Sequence, residues 1–157
     1  MQTMQDNGLE DQQSIKLLTF ETCDQEYSLD IMCVREIRSW TKATPLPHAP
    51  CYILGVVNLR GAVLPVIDLA KRLGAKSRPY TNRNVIIVIR QRETVIGLLV
   101  DAVSDIISVE KEKLQIPPTV ATGHDPVTVA ALTHFDDRLI RILDPSSIIW
   151  QSNGRAA

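Results

Sequence analysis

The stretch that most constrains this chain is Gly55-Val56-Val57-Asn58-Leu59-Arg60-Gly61-Ala62-Val63-Leu64-Pro65-Val66-Ile67-Asp68-Leu69. It reads as strand, tight turn, strand. Branched aliphatic residues on both sides of the turn favour strands. Gly61 permits a positive φ at the turn, and Gly55 permits a close backbone approach. Pro65 has no N–H to give to a ladder, so it marks an edge or the start of a strand. Arg60 stands just before the turn glycine, flanked by apolar residues. A charge so placed is costly to bury alone, so it is expected to meet a carboxylate, a backbone carbonyl or a partner protein.

The rest of the chain repeats the theme of short strands. Ile15 to Phe20 is a strand candidate, Cys23-Asp24-Gln25 a turn. Tyr27, Leu29 and Ile31 then alternate with Glu26, Ser28 and Asp30, the period of a strand with one buried face. Ile31, Val34 and Ile37 fall at helical spacing and suggest a short helical turn. Thr41 to Thr44 is another strand candidate. Pro45, Pro47 and Pro50 enforce an extended connection. Asp68 reads as the N-cap of a helix over Leu69 to Leu73, with Gly74 as its C′ residue. The polar stretch from Ser77 to Arg83 suggests a subdomain boundary near 77–84. Val85 to Ile89 and Thr94 to Val103 read as a hairpin, and Ile106 to Val109 continues as strand. A loop over Thr119 to Pro126 follows. Val127 to Phe135 and Leu139 to Leu143 flank a turn at Asp136-Asp137. Asp144-Pro145 opens a short C-terminal helix carrying Ile148, Ile149 and Trp150. Residues 1–14 and 151–157 read as flexible tails around a domain over 15–150. Nine or ten short strands with little helix argue for an all-β barrel or sandwich.

Composition narrows the function. The formal net charge is −1 with no basic block, which does not indicate a nucleic-acid face. No apolar run reaches the roughly 18–20 residues of a membrane span, and the polar, acidic start of the chain is unlike a secretory signal. Cys23, Cys33 and Cys51 lack metal-type spacing and fit free thiols in a reducing compartment. His48, His124 and His134 lie in different segments. There is no glycine-rich phosphate loop and no serine nucleophile elbow. Asp101, Asp105, Asp136 and Asp137 read as solvated or capping carboxylates. No catalytic residues, cofactor or metal site are expected. Arg35, Glu36 and Arg38 follow the second strand, either as a solvated face or with Glu36 paired to Arg60 and Val34 presented outward. Val85 and Ile86 are core strand, unless one of them faces a groove.

Several of these pieces together resemble the CheW family of chemotaxis coupling proteins. They are Glu26 to Ile31, Val34-Arg35-Glu36-Ile37-Arg38, the stretch from Gly55 to Leu69, Val85 to Ile89, and Val95 to Asp105. The resemblance covers about Ile15 to Trp150. It implies two small five-stranded β-barrels packed together. It also implies a non-catalytic adaptor, monomeric by itself, that couples chemoreceptor cytoplasmic tips to the regulatory domain of the histidine kinase CheA, in the cytoplasm at membrane receptor arrays. By this resemblance the receptor groove lies between the barrels, at Val34, Glu36, Arg60, Val85 and Ile86, supported by Gly55, Asn58 and Gly61. The kinase-facing surface falls near Tyr27, Leu29 and Ile31. Two other readings remain: an adaptor of the same fold in another chemosensory pathway, such as surface motility, and an enzyme using His124, Asp125 or Cys51.

Overall fold

A computed structural model describes residues 13–76, 78–117 and 129–148. The tails, apart from residues 13 and 14, lie outside them, as do the expected loop at 119–126 with His124 and Asp125, and Ile149 and Trp150.

Among the described residues, ten strands form two five-stranded sheets. The first holds β1 (Ser14–Thr22), β2 (Gln25–Asp30), β8 (Ala102–Glu110), β9 (Val129–Phe135) and β10 (Arg138–Leu143), in the order β8-β1-β2-β10-β9. The second holds β3 (Val34–Ser39), β4 (Ile53–Leu59), β5 (Ala62–Asp68), β6 (Val85–Gln91) and β7 (Thr94–Val100), in the order β3-β6-β7-β5-β4. Pairing is antiparallel except for β10 with β2 and β5 with β7. The all-β class is as the strand pattern suggests, and the two five-stranded units are as the family resemblance implies.

The sheets divide elsewhere than expected. A 3-10 turn at Ile31–Cys33, capped by Asp30 accepting from the Met32 N–H at 2.9 Å, carries the chain from the first sheet to the second. Asp101 carries it back, splitting the single strand expected over Thr94 to Val103. Residues 77–84 join elements of one sheet, so the subdomain boundary does not fall there. Their polar composition belongs to the long crossover that the parallel β5–β7 pair requires. The segment Thr41 to Thr44 contributes only one bridge, Thr44 to Val56. The helical spacing of Ile31, Val34 and Ile37 yields only the single 3-10 turn, and β3 begins at Val34.

Three apolar clusters hold the fold. The largest lies between the sheets and joins Leu18, Phe20, Tyr27 and Leu29 to Ile67, Ile87, Ile89, Ile96, Leu98 and Val100. Each sheet also has a core of its own: Leu17, Ile107, Val109, Ile140 and Ile142 in the first, Leu64, Val66, Ile86, Val88 and Leu99 in the second. The continuous apolar run of β6 follows from this. Ile87 and Ile89 point to the shared core, Ile86 and Val88 to the opposite one, so both faces are buried. The same holds in β2, where Ser28 is as buried as Tyr27 and Leu29. Its hydroxyl donates to the Arg141 carbonyl at 3.4 Å, as a buried polar group must.

The local punctuation is as the residues dictate. Asp68 Oδ1 accepts from the Lys71 N–H at 3.3 Å and opens the one-turn helix α1 (Leu69–Arg72). Gly74 closes it at φ 95°. Asp144 Oδ1 accepts from the Ser146 N–H and opens a helical turn at 145–148 whose Ile148 is buried in the shared core. The hairpin turns Cys23-Asp24, Arg60-Gly61 and Asp136-Asp137 place both central residues at positive φ, the type I′ geometry that suits twisted strands. Only one of these six positions is glycine. Asp137→Gly should therefore raise stability by about 0.5–1 kcal/mol, read as a higher urea midpoint at unchanged slope. A lower midpoint would mean that the Asp137 side chain supports the turn.

Candidate functional site

The site is built from two backbone devices. Asn58 Oδ1 accepts from the Gly61 N–H at 2.9 Å and closes the β4–β5 turn with Arg60 at φ 50°. A register shift between Val34 and Glu36 sets Glu36 opposite Val88 of β6. The turn carries the Arg60 guanidinium onto the Glu36 carboxylate, with Nη1 to Oε2 at 2.8 Å and Nη2 to Oε1 at 3.0 Å. This two-pronged fork fixes orientation as well as distance. Arg38 Nη1 adds a third donor at 3.3 Å.

The pair is exposed, with the Arg60 side chain 68% accessible and that of Glu36 26%. Water screens it, so it contributes little to stability; its effect is on geometry. The Arg60 hydrogen bonds, joined by Arg38, hold the Glu36 carboxyl below the usual carboxylate range. Its depressed value means the pair is intact at neutral pH and is lost only as pH falls through that lowered value.

Beside the pair lies a hollow of about 320 Å³ floored by Leu59, Val63, Leu64, Val88 and Val95. Leu64 and Val88 belong to the second sheet's own core, and Leu59 and Val95 pack on it. The hollow is thus the open mouth of that core. Of the residues that floor it, Val63 is the one left most open, at 70% exposed.

Of the expected groove residues, Glu36 and Arg60 meet here and the others do not. Val34 is half-buried against the shared core. Val85 pairs with Ser39 and Ile86 with Arg38, further along β6 than Glu36. Val85 packs on the shared core, and Ile86 is 2% exposed within the second sheet's core. The hollow is lined by the second sheet alone and does not lie between the two units. Tyr27 and Leu29 are core residues at 6% and 0% exposure, and Ile31 packs partly buried against the same cluster. Direct contact with a partner through Tyr27 or Leu29 is closed to them, because the face their alternation marks as buried is the face that meets the second sheet.

Asn58 and Gly61 close the turn that carries Arg60, whereas Gly55 lies further back on β4 against Thr44 and Pro45. Val63 and Val95 were hidden in apolar runs. The detectable signal was that Val63 alternates with the buried Leu64 and must therefore point outward.

Cys23, Cys33 and Cys51 are free thiols, and burial pushes Cys33 up to about 11, which keeps it protonated and unreactive near neutrality. Among the described residues no cluster of His, Cys, Asp or Glu could hold a metal ion, and no helix is long and apolar enough to cross a membrane.

The family described as CheW-like domain matches residues 16–152. The chain is 46% identical over 142 residues to the probable chemotaxis protein CheW of Rhizobium etli, covering 90% of this chain and 92% of that one. It is 32% identical over 142 residues to the chemotaxis protein CheW of Bacillus subtilis, covering 90% and 91%. The crystal structure of the scaffolding protein TtCheW from Thermoanaerobacter tengcongensis is similar with a TM-score of 0.76 at 35% identity, covering 83% of this chain and 88% of that one.

Proposed function

The chain belongs to the CheW family, and from that membership we propose that it is a non-catalytic scaffold of a chemotaxis pathway that joins chemoreceptor cytoplasmic tips to the regulatory domain of the histidine kinase CheA. It does so in the cytoplasm, at membrane receptor arrays. The observation that carries the reading is the Arg60–Glu36 fork standing over an open apolar hollow. A preorganised, partly apolar concavity with few polar groups suits the apolar stripe of a helix. We assign the receptor tip to this hollow, with Arg60 and Glu36 fixing its register. Val34, Val85 and Ile86 act from behind, by packing the strands that carry the hollow.

The test is retention of this protein by a purified receptor cytoplasmic fragment and by the CheA regulatory domain, separately and together, with kinase activity as the second readout. Arg60→Ala and Glu36→Gln are each expected to weaken receptor retention about tenfold, the order of a small interfacial hot spot, with kinase-domain retention and melting temperature unchanged. Wild-type retention by both variants would remove the receptor tip from this hollow. Retention of the wild type by neither partner would remove the coupling role.

A further inference from the structure

The two sheets divide the charge of the chain. Residues 34–100, which make the second sheet and its connections, carry 11 Lys and Arg against 3 Asp and Glu; the remaining residues carry 6 against 15. A net charge of −1 therefore separates into +8 and −9. No run of the sequence announces this, because the cations are spread singly through the strands and turns.

Topology gathers them. β3 runs antiparallel to β6 with Val34 beside Ile89, and the parallel β5–β7 pair brings the 60–61 and 92–93 turns to the same end. That end carries Arg35, Arg60, Arg90 and Arg92, all exposed, while Arg38, opposite Ile86 further down β3, only reaches back to Glu36. Its acids are Glu36 and Glu93, and Glu36 is already held by Arg60 and Arg38. Every cation in this rim is arginine, whose planar fork suits carboxylates better than an ammonium does. Arg35 and Arg60 line the hollow together with the exposed Val63, and Arg90 and Arg92 stand at the same end of the sheet.

We propose that this end of the second sheet recognises an amphipathic helix whose apolar stripe is flanked by Glu or Asp. An apolar side chain enters the hollow, and flanking carboxylates accept hydrogen bonds from the arginine rim. The concave, apolar floor fits a protruding side chain better than a flat layer of lipid headgroups. The proposal deepens the receptor-binding reading and rests on it for the identity of the helix, though not for its chemistry. Complementary charge of this kind steers encounter and makes binding salt-dependent.

The experiment uses the full chain and two synthetic helical peptides with one apolar stripe, flanked by Glu in one and by Gln in the other. Fluorescence anisotropy at low salt is expected to give about tenfold tighter binding of the Glu peptide, a difference that disappears near 0.5 M NaCl as the Debye length shrinks. The double variant Arg35→Glu/Arg92→Glu should abolish the preference, and Arg35→Gln/Arg92→Gln, which guards against misfolding of the first, should reduce it. Equal binding of the two peptides, or a preference that survives both variants, overturns the proposal. So does arginine-dependent binding to phosphatidylglycerol vesicles without peptide preference, which would assign the rim to a lipid surface. A receptor fragment that fails to bind while the peptide preference holds removes the receptor reading alone. A fragment that binds equally at both salt levels and to both variants overturns the proposal and leaves that reading in place.

Discussion

Gly55→Ala is expected to cost about 4 kcal/mol or more, enough to be among the largest single-residue effects, and to lower the melting temperature by roughly 10 °C. Two separate obstacles add. Gly55 sits at φ 146°, a region L residues rarely adopt. A Cβ there would also come within 2.1 Å of the Thr44 carbonyl oxygen and 2.9 Å of Pro45 Cα, all backbone atoms that cannot rotate away. The contact is tight because Thr44 and Val56 exchange two backbone hydrogen bonds, each 2.8 Å, which press the proline-rich segment onto β4. Gly61→Ala is the internal control. Gly61 has φ 85° but nothing within 4 Å of an added Cβ, so that change costs only the backbone penalty of about 1–2 kcal/mol. Thermal melts of the two variants compare them directly. Equal losses would mean that steric approach to Thr44 does not set the cost at Gly55.

Phe20→Ala should cost about 3–5 kcal/mol, the usual range for removing a buried ring. Phe20 is fully buried in the core shared by the sheets and stacks on Tyr27 with centroids 6.4 Å apart. Its loss weakens the joint between sheets more than either sheet alone. Unfolding should nonetheless remain one transition, because Ile87, Leu98 and Leu143 still tie the sheets together. In a Trp150→Phe background the remaining indole, Trp40, packs on the second sheet's core and reports it separately from the far-ultraviolet signal of the whole chain. Two resolved transitions would show that Phe20 carries the coupling.

Local features were legible in the residues. The Asp68 cap, the Gly74 stop, the Asp136-Asp137 turn and the Glu36–Arg60 pairing all follow from chemistry that acts over a few positions or from one conspicuous charge. Pairing between distant strands was not. The polar stretch at 77–84 looks like a linker because a crossover and a linker share a composition. Val85 and Ile86 could be assigned to a groove because a strand buried on both faces has no alternation to say which neighbour meets which core. Ser28 reads as an outward residue until β10, more than a hundred positions away, closes over it. The charge division is the clearest case, since it exists only after the strands have been sorted into sheets.

That sorting also sets an order of assembly during biosynthesis. The second sheet is contiguous and has all its strands once residue 100 has left the ribosome. The first sheet begins with β1 and β2 but needs β10, the last strand, to fill the place between β2 and β9. Until then the β1–β2 hairpin exposes an unpaired edge, the usual template for unwanted strand pairing. A ribosome stalled anywhere between residues 100 and 143 would thus hold a finished unit tethered to an adhesive one, and such nascent chains are the ones most in need of a chaperone.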